Sequence, residues 1–351
     1  MADVHNKNKE LIAQLRGCLY DIEPERLKGQ LEDIFAADCD IHLSSPFEDI
    51  AGPAEFYERV YAPLLVAIPD LERRDFIMMA GDAVEDTNWV GCAGNYVGVF
   101  EKHWLDIPPT YGMVAMRFHE FYRIVDGKIV EMQAIWDIPH LMMQADAWPM
   151  MPSLGVNWVA PAPAVQNGLS LPERDPEASA ASQQLIIDML DGLQRHAEFG
   201  PEGMGLDKFW HPKMTWYGPA GIGMNRRISG FRNWHQIPFL KGMPDRDMNH
   251  EVNNYFFGDG DYVGVTAWSG MRLTISEDGW LGIPPVGKEI LMRSLDFWRC
   301  EKGLIRENWV LVDILHVYDQ IGVDVFSRMR ELTVARQPNR PENLTWGGKF
   351  Q

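Results

Sequence analysis

The chain has 351 residues, 46% of them apolar, and a formal net charge of −18. That charge leaves no basic stripe for nucleic acid and none for an anionic membrane surface. No apolar run approaches the ~18 residues that span a bilayer, and the opening MADVHNKNKELIAQL lacks a signal-peptide core, so a cytoplasmic protein is expected. Cys18, Cys39, Cys92 and Cys300 are scattered without a CxxC pair and read as small buried hydrophobes, not as metal or redox groups. Thirteen Trp and nineteen Met fit either dense cores or a roomy apolar pocket.

Taken in order, Lys9–Tyr20 places Leu11, Leu15 and Leu19 at helical spacing. A polar loop, a short strand at Asp40–Leu43 and a helix from Gly52-Pro53 to Ile68-Pro69-Asp70 are expected next. Phe76–Ala80, Thr87–Phe100, Met113–Val125 and Lys128–Ile138 alternate and are rich in β-branched and aromatic residues, which predicts strands. Val125-Asp126-Gly127-Lys128 reads as a type I′ hairpin turn. Residues 151–177 are rich in Pro, Gly and small residues and read as a linker, partly pinned by Trp148 and Trp158.

The series then begins again. A helix at Ser182–Arg195, a strand at Met214–Tyr217, a helix from Gly230 to Met243-Pro244-Asp245 and a strand-rich remainder are expected, before an irregular tail at 336–351. Residues 104–144 align without a gap on 280–320, with sixteen of 41 positions identical. Unrelated sequences would agree at roughly one position in seventeen. One ancestral domain has therefore been copied in tandem, as 1–150 and 178–335, each an α+β unit with helices packed on one face of a curved antiparallel sheet.

Within the repeat, Trp104-Leu-Asp-Ile-Pro-Pro-Thr110 precedes a strand ending Phe-Tyr-Arg, then Asp-Gly-Lys-Ile-Val-Glu131 and Asp137. The second copy has Trp280-Leu-Gly-Ile-Pro-Pro and completes a Glu307-x-Trp309-x-x-x-Asp313 pattern, where the first has Gln133 in place of the Trp. These stretches resemble the SnoaL-like polyketide cyclases of the NTF2-like superfamily. The resemblance implies two tandem cone-shaped domains, a cavity between helices and sheet, no cofactor, and an acidic residue that moves protons in an aldol closure. Relatives isomerise ketosteroids or hydrolyse epoxides with similarly placed carboxylates, and one scaffold hosts many chemistries.

If the 126–127 turn is followed by an unbroken ladder, Met116 faces Asp137. One face then carries Met116, Phe118, Glu120 and Tyr122 with Glu131, Gln133, Ile135 and Asp137; in the second copy it carries Met292, Ser294, Asp296 and Trp298 with Glu307, Trp309, Leu311 and Asp313. The resemblance assigns this face to the cavity. Asp137 and Asp313 become the catalytic candidates, with Phe118, Glu120, Tyr122, Asp296, Trp298, Trp309 and Trp216 against an apolar small-molecule substrate. Burial would raise such a carboxyl toward neutrality. Both aspartates could equally cap the segments that follow them.

His119 is a third catalytic candidate, as an oxyanion donor. The unbroken ladder puts it on the opposite face, the second copy has Leu295 there, and a β-bulge would reverse the facing. His42, Ser44, Phe47 and Tyr217 are candidates for the cavity mouth. Asp137-x-x-His140 and Asp313-x-x-His316 make an incomplete ligand set, so no metal is expected. The leading expectation is a cofactor-free cyclase or isomerase; a non-catalytic binding protein and an epoxide hydrolase are the alternatives. The two copies are expected to pair their sheets within the chain through the Arg117/His119 face, with a homodimer of chains as a further possibility.

Overall fold

The structure is a computed structural model that describes residues 4–84, 87–169, 175–194, 203–246 and 253–336. The tail from 337, residues 170–174 of the linker and Arg195 lie outside the described residues. Two six-stranded sheets follow one plan. The strands are β1 (Phe35–Leu43), β2 (Asp49–Ala51), β3 (Glu72–Asp82), β4 (Asn88–Val99), β5 (Met113–Val125) and β6 (Lys128–Trp136), in the order β2-β1-β6-β5-β4-β3. The second set is β7 (Trp210–Tyr217), β8 (Asn225–Arg226), β9 (Asn253–Asp259), β10 (Tyr262–Ile275), β11 (Lys288–Glu301) and β12 (Leu304–Val312), in the order β8-β7-β12-β11-β10-β9. The fold is α+β in two tandem units, as expected. The sheets are antiparallel except where β1 and β7 pair parallel to β6 and β12.

Helices cover one face of each sheet. Val4–Tyr20 buries Ile12, Leu15, Cys18 and Leu19. The stretch expected to be a polar loop contains a helix, Pro24–Ile34, whose Leu27, Leu31 and Ile34 are buried one turn apart. In each copy the next helix passes through a π-helical turn, Tyr57–Tyr61 and Arg232–Gln236. The repeated Trp-Leu-x-Ile motif closes the same tight loop twice, with bridges between Trp104 and Ile107 and between Trp280 and Ile283. All four cysteines are buried and unpaired. Among the described residues no helix is long and apolar enough to cross a membrane.

The β5–β6 turn has Asp126 and Gly127 at φ 49° and 75°, the left-handed conformation that a type I′ turn requires. The ladder beyond it is not unbroken. Val125 faces Lys128 and Ile124 faces Ile129, but Arg123 faces Glu131, so Val130 is an extra residue. The second copy has the same bulge at Arg306, between the Cys300/Ile305 and Arg299/Glu307 pairs. One inserted residue turns every later side chain of β6 and β12 to the other face.

The uncovered faces of the two sheets pack against each other. Their shared core includes Phe121, Ile135, Phe257, Leu295, Phe297, Trp309 and Leu311. Phe121 and Phe297, at equivalent positions, stack with ring centroids 4.8 Å apart. The linker runs along this junction: the Ala160 carbonyl accepts from Asn95, the Pro161 carbonyl from Trp309 Nε1, and Ala164 N–H donates to Glu307. Of the two expected pins, Trp148 is half-buried beside Tyr318, whereas Trp158 is exposed.

Candidate active site

The bulges divide the expected carboxylate face in two. Glu120 and Asp296 remain on the faces covered by helices. Asp137 and Asp313 are not in the lining of the cavity beneath the second sheet; they lie at the sheet–sheet junction. Each is a helix N-cap, accepting from His140 N–H at 3.3 Å and His316 N–H at 3.1 Å. Each also reaches across to the other copy: Asp137 accepts from Ala220 N–H at 3.2 Å and Asp313 from Ser45 N–H at 3.0 Å. Arg117 lies 3.6 Å from Asp137, and Arg293 lies 3.3 Å from Asp313. These contacts use the carboxylate oxygens as structural acceptors.

His119 is fully buried at the same junction, edge-on to Phe297, and its Nδ1 donates to the Leu295 carbonyl at 2.6 Å. Burial holds it well below the usual imidazole range, so it is neutral. Trp309 stacks on Tyr217, again between the sheets and away from the cavities. Tyr217 donates to Glu307 there. In the first copy, Gln133 stands at the equivalent position and accepts from Thr266 across the junction. His42 pairs with Asp49 at 2.7 Å, Phe47 packs on Trp104 and Trp136, and Ser44 accepts from Trp136 N–H; all three are structural contacts.

Asp313 and His316 do acquire a third partner, Glu48 from the first copy, with all three ligand atoms within 4.8 Å. Arg293 donates to Glu48 at 2.7 Å and pairs with Asp313, so a guanidinium already supplies the positive charge at this cluster.

The space beneath the first sheet is filled. Glu120 accepts from Tyr96 at 3.1 Å, Trp136 Nε1 at 2.9 Å and Tyr122 at 2.5 Å, and forms an ion pair with Arg73. Arg73 also holds Asp75 through its Nε and a terminal nitrogen. The Arg73 and Glu120 side chains have no exposed area, and Phe118 lies under the guanidinium, 4.3 Å from ring centroid to Cζ. Four donors saturate the carboxylate, leaving no lone pair directed at a ligand.

The second sheet has a cavity in the corresponding place, of about 110 Å³. Its lining includes Trp210, Trp216, Phe231, His235, Arg246, Ser294, Asp296, Trp298 and Asn308. Three replacements free volume, Phe118 by Ser294, Trp136 by Val312 and Glu120 by the shorter Asp296, while Tyr122 is replaced by the larger Trp298. Asp296 is the sole carboxylate lining this cavity among the described residues. It accepts from Ser294 Oγ at 2.6 Å, and burial pushes its carboxyl up to about 7. His235, on the π-helical turn, stacks on Trp216 at 4.1 Å between centroids. Burial lowers it to about 3, so its imidazole is neutral.

The sequence-predicted residues Asp296, Trp298 and Trp216 are thus brought together. Asp137, Asp313, His119 and Trp309 belong to the junction, and Phe118, Glu120 and Tyr122 to a filled core. His235 and Arg246 were missed. His235 lies between Phe231 and Phe239 at helical spacing, a signal that marked it as inward-facing. Arg246 had no such pattern.

Residues 21–145 match the family model described as SnoaL-like polyketide cyclase. A comparison with curated proteins found no match. Among solved structures, the chain is similar to a protein from Jannaschia sp. CCS1 provisionally assigned as a SnoaL-like polyketide cyclase, at 18% identity and a TM-score of 0.36, covering 42% of this chain and 96% of that one. It is also similar to AclR from Streptomyces galilaeus, provisionally assigned as a hydroxylase, at 18% identity and a TM-score of 0.34, covering 40% and 96%. IdmH from Streptomyces antibioticus, provisionally assigned as a polyketide cyclase, matches at 21% identity and a TM-score of 0.32, covering 40% and 99%.

Proposed function

We propose, from the match of residues 21–145 to the SnoaL-like polyketide cyclase model and from the second domain's identical plan, that the second domain alone is a cofactor-free acid–base catalyst. Its substrate is a compact carbonyl compound, and the reaction is of the cyclase or isomerase type. Asp296 is the general base and acid. It takes a proton from carbon next to the carbonyl and returns one to the oxygen or carbon of the product. A carboxyl titrating near 7 can do both at neutral pH, which contributes roughly 10²–10⁴-fold. Trp216, Phe231 and Trp298 offer flat apolar surface to the substrate, and the neutral His235 beside Trp216 adds a polar contact without a competing charge.

The observation that carries this reading is Asp296: a carboxyl in a mostly apolar cavity, held among the described residues by one hydroxyl and by no ion pair. Its counterpart Glu120 is locked by Arg73 and three other donors. About 110 Å³ is well below the roughly 300–1,000 Å³ of drug-sized ligand sites, which favours a substrate of at most one ring over a polycycle. An epoxide-opening site would need a second carboxylate beside Asp296, and among the described residues the cavity lining offers none.

The test is α-proton exchange of acetophenone in D₂O, followed by NMR, with the intact chain. Exchange above the buffer rate that disappears in Asp296→Asn is expected. Equal exchange by the wild type and by Asp296→Asn overturns the assignment.

A further inference from the structure

The cavity of the second domain holds more donors than acceptors. Trp210 and Trp298 line it, both nearly fully buried, and neither indole N–H has a hydrogen-bond partner. Arg246 lines it too, packed 5.9 Å from the Phe239 ring centroid. Among the described residues no carboxylate lies within 4 Å of its guanidinium, whereas the buried Arg73, Arg117 and Arg299 each have one. Burial without a counter-charge lowers Arg246 to about 10, which still leaves it cationic at neutral pH. A guanidinium half-buried against an aromatic ring is costly unless an anion joins it.

We propose that Arg246 and the indole N–H groups of Trp210 and Trp298 form an acceptor-binding subsite, and that the ligand carries a carboxylate on a small aromatic or alicyclic ring. This rests on the reading of the cavity as a substrate site and names the chemical class that enters it. The guanidinium supplies the charge and a planar fork that matches a carboxylate. The ring lies among Trp216, Phe231 and Trp298, with Asp296 on the sheet side. Arg246 is a binding residue here, and the proton transfer stays with Asp296. Neutral esters and amides of the same acids keep the apolar contacts but leave the cation unpaired. Discrimination comes from that difference, since a hydrogen bond to a charged partner is stronger than a neutral one.

The test uses 4-fluorobenzoate and 4-fluorobenzamide as probes of the intact chain, read by ¹⁹F NMR titration, so it does not depend on turnover. The acid is expected to bind about tenfold or more tighter than the amide. Arg246→Gln erases the difference and Arg246→Lys keeps part of it, with far-UV circular dichroism and thermal melting showing that both variants fold. Asp296→Asn keeps or strengthens acid binding while ending proton exchange, which separates failure of this subsite from failure of the catalytic reading. Equal affinity for acid and amide, no binding of the acid, or full selectivity in Arg246→Gln each overturns the proposal.

Discussion

The two spaces beneath the two sheets began as the same structure and now differ in what their buried carboxyl does. Under the first sheet, Glu120 is neutralised by Arg73 and bonded to Tyr96, Tyr122 and Trp136. Under the second, Asp296 is bonded among the described residues to Ser294 alone and lines a cavity. Phe118 and Trp136 filled one space, and their counterparts Ser294 and Val312 left the other open. A saturated carboxylate is a structural element, whereas an unsaturated one beside a cavity retains the capacity to move a proton.

Four perturbations would break or sharpen this contrast. The largest effect is expected for Asp296→Asn, a fall of roughly 10²–10⁴-fold in proton exchange, measured by NMR, whereas Glu120→Gln leaves exchange unchanged per folded molecule. Next comes Glu120→Gln itself as a stability change: removing one partner of a buried ion pair costs about 3–5 kcal/mol, read from denaturant unfolding. The first domain should lose that amount while the same experiment on Asp296→Asn shows no loss at pH 8.

The third concerns pH. In the folded chain Asp296 keeps its proton up to about 7, well above the ordinary 3.8. The folded state therefore binds the extra proton, and this group lowers stability as pH rises from about 4 through about 7. Comparing melting temperatures of the wild type and Asp296→Asn across that window should show the decline in the wild type alone. Exchange by Asp296 as a base should rise through the same range; a flat profile would put the proton elsewhere. The smallest effect is expected for Asp313→Asn, which still caps its helix and accepts from Ser45 N–H, and which leaves Arg293 paired with Glu48, so about 0.5–1.5 kcal/mol is lost. Exchange at saturating probe should be unchanged, which separates the junction aspartates from the cavity carboxyl.

The tandem architecture, the helix Val4–Tyr20 and the hairpin at Asp126-Gly127 were readable because each rests on local pattern or on comparing the copies. The repeat also singled out the Asp137/Asp313 pair, but as shared architecture: positions kept in both copies are those that hold the two sheets together. The differences at 118/294, 120/296 and 136/312 were the better guide to the cavity. What the pattern concealed was the extra residue at Val130 and Arg306. Neither is a Gly or a Pro, and each stretch alternates as well with the insertion as without it, so the facing of β6 and β12 could not be read locally. Arg246 was unreadable for another reason: its role depends on rings brought together from distant parts of the chain.

The bond from His119 to the Leu295 carbonyl joins unlike residues at matching places on either side of the stacked Phe121 and Phe297. Gln133 and Thr266, on non-equivalent strands, add a second bond between the copies. Two first copies meeting at this seam would set imidazole against imidazole, and two second copies would have no imidazole to offer that carbonyl. Such a seam distinguishes a mate from a duplicate. Severed at the linker, the halves would be expected to seek each other in preference to themselves.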